Sequence, residues 1–558
     1  MEVALDDTVP TFSGGLGVLA GDHLRAAADR GLRIAGVTLL YAHGFFRQRL
    51  VDGEQTEAPV EWSPSAHLDA LDEQVTVVVS GRRVRVRAWR AMLHGAGGHE
   101  VPVYFLDTAL EENAPEDRAI TDHLYASDPH ERLRQEAVLG FGGPLLLEAL
   151  GHGTIRVHHL NEGHGALVPV GLLARRRGAA DTSAYGSALE GASGVDLDAV
   201  RTSCVFTTHT PVPAGHDRFD PGVAAQVLGS SLVGSLGALG CLEADGTLNM
   251  TVLGMRTACS VNGVSAMHRR VTEAMFPGHT VMSITNGVHA ATWAAPATAA
   301  MFDRYLPGWR LDSQQLRYAA IELPLDALAG AHAENKQALC AAVHARTGVD
   351  VRTDALVVGI ARRFAAYKRN DLVLSDLERL TTIAEAGPVQ IVFAGKAHPG
   401  DSHAKDMIRH VAALTGDHRN GVRVAFVEDY GMALGRLLCA GSDVWLNTPI
   451  PPNEASGTSG MKAALNGVPS LSTLDGWWAE GGIDGLTGWT IVDAAGPDAA
   501  NRLYDALEEV VVPTYYKDRE ALVAMGRQAI ALNGSFFSAD RMVDEYCRRA
   551  YGSWLDAR

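Results

Sequence analysis

The hydrophobic and polar positions of the chain follow different patterns in its two halves. Between residues 45 and 110, stretches such as QVTVVVSGRRVRVRAW alternate apolar and polar positions, which predicts antiparallel strands with a turn at Ser80-Gly81. After residue 350, nearly unbroken apolar runs (ALVVGIA, VQIVFAG, VRVAFV) alternate with helical segments. Such runs are typical of a parallel, doubly wound sheet that is covered on both faces. We therefore predict an α/β protein with ligand-binding residues at the carboxyl ends of its strands.

Two domains are predicted, residues 1–285 and residues 286–558. The first begins with a glycine turn, Gly14 to Gly17, that leads into a helix and then a buried strand, GVTLLY. The second begins with helical, connective segments, among them ENKQALCAAVHART, which should end at Gly348. Its last segment has helical spacing and is expected to pack back across both domains.

Composition narrows the class of protein. The chain has 558 residues, 47% of them hydrophobic and 20% charged, which is ordinary for a globular protein of two or more domains. A net charge of -17 argues against nonspecific nucleic-acid binding. The six cysteines form no C-x-x-C pair, and we find no signal peptide and no apolar run long enough to span a membrane. We expect a cytoplasmic protein with no membrane partner and no nucleic-acid partner.

Lys462 lies in the stretch that is richest in candidate chemistry, NEASGTSGMKAALNG from Asn453. Gly457 and Gly460 allow close approach of a ligand, and a helix that begins here directs N–H groups toward an anion. Lys462 would then act as a cation or as an amine nucleophile. A solvated lysine in a loop explains the same residues, because the spacing is not that of a nucleotide-binding loop.

Other candidate sites also leave alternatives open. The turn at Gly15 and Gly17 fits part of a dinucleotide fingerprint, but no strand precedes it, so a second anion-binding helix start is the better interpretation. A cluster around His158, including His159, Glu162 and His164, could suggest a metal, although its spacing matches no zincin pattern. His209 follows a strand, where it could contact a ligand or simply satisfy a loop.

A basic segment, RRFAAYKR, follows the first strand of the second domain. Basic residues at a helix start oppose the helix dipole, so they favour an external anion. A solvated surface segment is the alternative.

The stretch around Lys462 resembles the cofactor-lysine segment of the glycogen and α-glucan phosphorylases. The matching motifs are E-A-S-G-T-x-x-M-K, L-N-G and T-L-D-G, and the S-G-M-K and D-G-W-W-A-E variants resemble the short bacterial branch of that family. RRFAAYKR resembles the family's K-R-x-x-x-Y-K-R, with Arg362 in place of the common lysine. Further matches follow in family order from the first glycine turn to the tail.

The resemblance implies two Rossmann-like domains that face each other across a cleft, the GT-B architecture. It implies phosphorolysis of an α-1,4-glucan at its non-reducing end, giving α-glucose 1-phosphate, with pyridoxal 5'-phosphate held as a Schiff base on Lys462. The partners are then glucan and inorganic phosphate, and a homodimer is expected because family members are commonly dimers.

Residue roles implied by the resemblance fall into three groups, with no metal ligand among them. The catalytic residues are Lys462, Arg363, Lys368 and His209. The cofactor-binding residues are Lys462, Tyr430, Arg362, Tyr367, Gly457 and Thr458. The substrate-binding residues are Gly15, Leu16, Asn286, Glu454, Ser456, Gly457 and His164.

The chain departs from the family pattern at its start, because relatives carry residues upstream of the Gly14 turn, including a buried strand. The first strand of the N-terminal domain is therefore expected to be missing. Two other functions stay open: a nucleotide-sugar-dependent glycosyltransferase of GT-B architecture, and a glucan-binding protein inactivated by N-terminal truncation.

Overall fold

A computed structural model describes residues 1–416 and 418–552 of the chain. The strands of the first half are β1 Gly36–Leu39, β2 Arg47–Val51, β3 Glu54–Ala58, β4 Asp69–Val79, β5 Arg82–His94, β6 Glu100–Asp107, β7 His158–Asn161, β8 Cys204–Thr207, β9 Arg218–Phe219, β10 Leu248–Asn249, β11 Ser260–Gly263 and β12 Met282–Ser283. The strands of the second half are β13 Leu356–Ala361, β14 Val389–Ala394, β15 His418–Arg419, β16 Val422–Val427, β17 Val444–Asn447, β18 Ser470–Thr473 and β19 Gly488–Ile491.

Helices connect these strands. Those before β13 are α1 Gly15–Asp29, α2 Pro115–Arg118, α3 Pro129–Ala137, α4 Gly143–Ala149, α5 Leu167–Arg176, α6 Tyr185–Leu189, α7 Gly194–Arg201, α8 Pro221–Leu228, α9 Ser230–Ala238, α10 Met250–Thr257, α11 Ala266–Met275, α12 Ala290–Trp293, α13 Pro296–Tyr305, α14 Ala319–Glu322 and α15 Leu325–Thr347. Those after β13 are α16 Leu377–Ile383, α17 Ser402–Ala413, α18 Met432–Gly441, α19 Thr458–Leu465, α20 Trp478–Gly481, α21 Ala499–Ala506, α22 Val512–Lys517, α23 Arg519–Gln528 and α24 Ala539–Tyr546.

The predicted mixed α/β class with parallel sheets is confirmed. In the second half, the strands are ordered β15-β16-β14-β13-β17-β18-β19, and all pairs except β15 with β16 are parallel. The strand order reverses between β13 and β17. In open α/β sheets, ligands bind at the carboxyl ends of the strands beside such a reversal.

In the described part of the first half, the main strands form two four-stranded sheets rather than one continuous sheet. One is ordered β1-β6-β5-β4 and is mixed, because only β1 and β6 pair in parallel. The other is ordered β12-β11-β8-β7 and is parallel throughout. The carboxyl ends of β7, β8 and β12 therefore lie along one edge, where Glu162, His209 and Asn286 follow.

Local sequence signals for turns and helix ends are confirmed. Ser80 and Gly81 have φ angles of 53° and 71°, as a tight hairpin between β4 and β5 requires. Helix α15 ends at Gly348, which has a left-handed φ of 72°.

The two halves contact each other in several places. The C-terminal helix α24 packs with α1 and β8 in a shared apolar cluster, and Arg30 pairs with Asp544 at 2.8 Å. The hairpin β2–β3 lies against the large sheet, where Gln48 donates to the Gly395 carbonyl at 2.9 Å. The domain boundary between residues 285 and 286 stays a prediction. The end of the second predicted domain, residues 553–558, lies outside the described residues. Across the described residues, we find no helix with the length and apolar character needed to cross a membrane.

Candidate active site

Lys462 lies in the middle of α19, the short helix that follows β17. Gly457 precedes the helix with a left-handed φ of 83°, a conformation that glycine adopts without strain. The Lys462 side chain is buried, and its Nζ atom lies 3.5 Å from the centre of the Trp293 ring. Among the described residues, no hydrogen-bond acceptor is found for this amine. Burial lowers the pKa of Lys462, against the opposing charges of Asp22 and Cys439. The site therefore favours an amine that can lose its proton and act as a nucleophile.

Gly460 allows the indole of Trp477 to pack against α19. A Cβ atom at Gly460 would lie 2.7 Å from that ring, and Trp477 is itself fully buried. We expect Gly460→Ala to destabilise the protein by about 1–3 kcal/mol, because neither helix nor ring can move freely. Gly330→Ala in α15 is the matched control: its site is open, so alanine should stabilise the helix by about 0.5–1 kcal/mol. Equal unfolding midpoints for Gly460→Ala and the wild type in urea would show that this contact does not constrain α19.

The loop after β13 is built around the guanidinium of Arg362. It donates to Asn370 Oδ1 at 2.8 Å, to Thr448 Oγ1 at 2.9 Å, to the Lys368 carbonyl at 3.0 Å and to Asn447. Burial lowers the pKa of Arg362 to about 10. Arg362 therefore ties the basic loop to the loop after β17, across the point where strand order reverses.

Lys368 and Glu454 meet across this reversal point. Lys368 Nζ donates to Glu454 Oε2 at 2.5 Å, and both side chains are largely buried. Asp475 accepts the backbone N–H of Glu454 at 2.8 Å and so fixes that loop. Burial raises the pKa of Asp475 to about 7. Arg363, in the same loop as Lys368, is exposed, which leaves its charge available to an external anion.

Tyr367 and Tyr430 follow the ends of β13 and β16. The Tyr367 carbonyl accepts the Ile450 N–H at 2.7 Å, which again joins the loops after β13 and β17. Burial raises the pKa of Tyr430, so its hydroxyl stays neutral. Gly435 makes room for that hydroxyl, because a Cβ there would lie 2.8 Å from it.

On the N-terminal side, Gly15 and Leu16 begin α1. No atom lies within 4 Å of the position that a Cβ on Gly14 or Gly15 would take, so the space in front of this turn is open. None of the residues in the first turn of α1 is acidic, but the Glu2 carboxylate lies at this turn, where it accepts the N–H of Ser13 and, at 3.4 Å, that of Gly14. An anion at this helix start would therefore be bound by the N–H groups of Gly15 and Leu16, beside the Glu2 carboxylate.

Glu162 organises the turn that carries His209. It accepts the His209 N–H at 2.7 Å and the Thr210 hydroxyl at 3.0 Å. His209 Nε2 lies 2.6 Å from Asn161 Oδ1, and burial lowers the pKa of His209 to about 3. The imidazole is therefore neutral, so one ring nitrogen bonds to Asn161 while the other can contact a ligand.

Asn286 and Ser456 each bury a polar side-chain atom that has no protein partner among the described residues, Oδ1 and Oγ respectively. Arg541 of α24 fixes the Asn286 turn by donating to the Thr285 carbonyl at 2.7 Å and the Asn286 carbonyl at 3.0 Å. Buried polar atoms without partners are costly, so these two are suited to a polar ligand.

His164 lies apart from these contacts, in a buried ionic cluster. Ligand atoms of Glu136, His164 and Asp217 lie within 4.8 Å of one another. Arg132 stands among them, with an Nη atom 2.9 Å from both His164 Nε2 and Asp217 Oδ2. Its guanidinium already supplies the positive charge that a metal ion would bring.

Comparisons with known proteins address the identity of the chain. A family model described as carbohydrate phosphorylase matches residues 10–97 and 233–480. A maltodextrin phosphorylase of Thermococcus litoralis is 37% identical over 605 aligned residues, which include 100% of this chain and 70% of the relative. Glycogen phosphorylases of Mycobacterium tuberculosis H37Rv and Aquifex aeolicus are 36% and 33% identical over 99% of this chain, and over 70% and 85% of their own lengths.

The chain belongs to the carbohydrate phosphorylase family. This confirms the resemblance that the motifs around Lys462 indicated, and with it the enzyme class.

The roles of individual residues in this phosphorylase stay predictions. The structure brings Arg362, Lys368, Glu454 and the Lys462 segment together at one sheet edge, but it places His164 in the separate ionic cluster. Sequence reasoning missed Asp22 and Trp293, which lie next to Lys462 in space. No motif marks either of them, because their contacts with Lys462 and with each other span 169 residues of sequence or more.

Proposed function

We propose that this carbohydrate phosphorylase is an α-1,4-glucan phosphorylase, which transfers the non-reducing-end glucosyl unit of a glycogen or maltodextrin chain to inorganic phosphate. The observation that carries the proposal is the buried amine of Lys462, which lies on the Trp293 ring with no hydrogen-bond acceptor among the described residues, beside a basic loop at the reversal point of the large sheet. The product is α-glucose 1-phosphate with retained configuration. The names of the three relatives, maltodextrin and glycogen phosphorylase, support this substrate class.

Pyridoxal 5'-phosphate fits the residues around Lys462. The amine has a lowered pKa and no acceptor among the described residues, which suits covalent attachment to an aldehyde. Gly457 and Thr458 present the start of α19, and Tyr430 and Tyr367 supply aromatic surface after β16 and β13, which lie on either side of β14. When bound there, the cofactor supplies a phosphate group that exchanges protons with the substrate phosphate.

The chain's own residues hold the substrate phosphate in this account. Arg363 and Lys368 bind its oxygens, while Arg362 keeps their loop in place through its four protein contacts. The N–H groups at Gly15 and Leu16 face the same anion from the other domain. The inorganic phosphate gives a proton to the glycosidic oxygen, the bond from C1 to that oxygen breaks, and a phosphate oxygen then bonds to C1. The fixed positive charges stabilise the oxocarbenium-like state with little reorganisation.

The sugar is held by neutral polar groups. Asn286 Oδ1 would accept a hydrogen bond from one of its hydroxyls, Ser456 Oγ would accept or donate one, and His209 would do so through the ring nitrogen not bonded to Asn161. Glu454 completes this set while it pairs with Lys368. His164 stays a predicted substrate-binding residue; it is buried and held by Arg132 in the ionic cluster.

Architecture and setting complete the proposal. The parallel sheets β12-β11-β8-β7 and β16-β14-β13-β17-β18-β19 are the cores of two Rossmann-like domains in a GT-B arrangement, with the domain boundary near residue 285. A homodimer and a cytoplasmic location stay predictions.

Phosphorolysis is tested by incubating the full chain with maltoheptaose and inorganic phosphate and measuring glucose 1-phosphate. We expect phosphate-dependent release, with no nucleoside diphosphate produced from nucleotide sugars. Turnover of a nucleotide sugar would instead support the glycosyltransferase alternative. Binding of maltoheptaose without either reaction would support a glucan-binding protein.

Lys368→Met is expected to raise the KM for phosphate by about 10–100-fold, because a hydrogen bond to a charged group contributes about 1.5–3 kcal/mol. The change also releases Glu454 from its pair. Initial rates at varied phosphate concentration measure the effect. Lys517→Met, at the exposed end of α22, is the control and should leave this KM unchanged. A wild-type KM in Lys368→Met would remove this lysine from the phosphate site.

A further inference from the structure

Asp22 is a buried carboxylate whose surroundings the proposed mechanism does not use. It lies in α1, the helix that begins at the Gly15 turn, and its side chain is 1% exposed. Both of its oxygens accept the indole N–H of Trp293, at 2.8 and 3.1 Å. A buried carboxylate is costly unless it is paired, so its presence on this helix requires a counter-charge.

Trp293 joins Asp22 to Lys462. While its N–H bonds to Asp22, its ring faces the Lys462 amine at 3.5 Å. Donation of the N–H to a carboxylate increases electron density on the ring, which strengthens attraction to a cation on its face. Asn466 fixes the indole in this position, because its side-chain amide donates to the Trp293 carbonyl at 2.9 Å and its Oδ1 accepts the Ala295 N–H at 2.9 Å.

The charges around Asp22, Trp293 and Lys462 favour a direct electrostatic link between Asp22 and Lys462. The groups facing Lys462 are Asp22 and the Cys439 thiol, whose pKa burial raises to about 12. Burial raises the pKa of Asp22, and the charges of Lys462, Arg25 and His289 oppose that shift; Arg25 Nη1 lies 4.0 Å from the carboxylate. His289 is already bonded to Asp29 at 2.7 Å, and Arg25 to the carbonyls of Ala4 and Leu5. Lys462 is thus the cation that depends most on Asp22.

We propose that Asp22, acting through Trp293, is a positioning residue that orients the Lys462 amine and sets its protonation. The inference rests on the proposed function, in which Lys462 carries the cofactor. In this proposal, a residue of the N-terminal domain controls the amine of Lys462, which belongs to the C-terminal domain. The start of α1 then faces the substrate phosphate, while Asp22 in its third turn controls the cofactor lysine.

The test measures the reactivity of the amine itself. The full chain, freed of bound aldehyde with hydroxylamine and dialysed, is treated with cyanate, a small reagent that reacts with amines only in their unprotonated form. Peptide mass spectrometry then gives the rate at Lys462 across pH. In Asp22→Asn, an isosteric change that can still accept the Trp293 N–H, the rate at pH 7 should rise about tenfold, because loss of one nearby opposite charge lowers a lysine pKa.

Two further variants separate this effect from a general loss of structure. Asp29→Asn removes another buried carboxylate from the same helix, but one that bonds to His289 and not to Trp293, so the rate at Lys462 should stay at the wild-type value. Trp293→Phe keeps an aromatic face but removes the N–H, and it should shift the rate in the same direction as Asp22→Asn.

A second readout uses the cofactor. With pyridoxal 5'-phosphate added, the absorbance of the bound cofactor is followed as a function of pH. The pH at which its change is half complete should be lower in Asp22→Asn than in the wild type. Equal cyanate rates in the wild type, Asp22→Asn and Trp293→Phe would overturn the proposal. If the wild-type chain forms no adduct with pyridoxal 5'-phosphate, the proposed function fails, whereas the cyanate comparison still decides the role of Asp22.

Discussion

Lys462→Met is expected to lower the rate of phosphorolysis by about 10³-fold or more, equivalent to about 4 kcal/mol of lost transition-state stabilisation. Methionine has nearly the same length and is apolar, so it fits the buried site on the Trp293 ring. The change removes the only group in the α19 segment that can bond covalently to an aldehyde. Glucose 1-phosphate release from maltoheptaose at saturating phosphate measures the loss.

Stability distinguishes loss of chemistry from loss of fold in this variant. Because burial of the Lys462 charge is unfavourable, Lys462→Met should unfold at the same urea concentration as the wild type or higher. Lys517→Met is the control for activity and should retain the wild-type rate. If Lys462→Met remains folded and keeps a tenth or more of the wild-type rate, Lys462 is not the cofactor lysine.

Lys336→Met is expected to cost about 3–5 kcal/mol of folding free energy, because it removes the buried lysine from the Asp443 carboxylate and leaves that charge to His332 and Arg519 alone. Lys336 of α15 and Asp443, just before β17, are both almost fully buried, and their charged atoms lie 2.6 Å apart. Lys336 also donates to the Ala355 carbonyl at 2.7 Å and to the Tyr515 hydroxyl at 2.8 Å. Urea unfolding followed by tryptophan fluorescence measures the cost.

A more exposed pair supplies the matched control. Lys405 pairs with Glu57 at 2.7 Å, with both side chains about a quarter exposed, so Lys405→Met should cost no more than about 1 kcal/mol. The double variant Lys336→Met/Asp443→Asn should recover part of the stability, because the buried charge is gone. An equal loss of folding free energy in Lys336→Met and Lys405→Met would contradict the claim that the buried Lys336–Asp443 pair stabilises the large sheet.

The same pair makes stability depend on pH. Burial raises the pKa of Asp443, but the hydrogen bond from His332 and the charges of Lys336 and Arg519 outweigh it, so the pKa lies below its ordinary value. A carboxylate with a lowered pKa stabilises the fold above its unfolded-state pKa, and that contribution is lost as pH falls through the folded-state value. The acid-induced loss of stability that the wild type shows should therefore be smaller in the double variant.

Much of the fold could be predicted because its signals are local. Apolar runs predicted the parallel strands of the large sheet, and Ser80-Gly81 predicted a hairpin turn. The helical pattern predicted that α15 ends at Gly348, as it does. The division of the N-terminal strands into two sheets could not be predicted in this way. Sheet membership depends on which strands pair across long stretches of chain, and short strands such as β7 and β8 do not encode their neighbours.

The residues of the candidate site likewise fall into those that local motifs predict and those that only the fold brings together. The Lys462 segment and the basic loop are contiguous motifs, so the sequence marks them. The resemblance also predicts that Arg362 lies next to the cofactor. In the structure, its donors bond to Asn370, Thr448 and neighbouring loop atoms. These contacts arise because the strand reversal brings the loops after β13 and β17 together, and no single motif records them. Asp22 and Trp293 reach Lys462 only through tertiary packing, so they could not be found before the fold was known.

Reduction with borohydride tests the central claim most directly. The purified full chain is incubated with pyridoxal 5'-phosphate, reduced, digested and mapped by mass spectrometry, with Lys462→Met treated in parallel. The account predicts one stoichiometric pyridoxyl adduct, on Lys462, that is absent from Lys462→Met. An unmodified Lys462 in the wild-type chain, or an adduct on another lysine at equal yield, would contradict it.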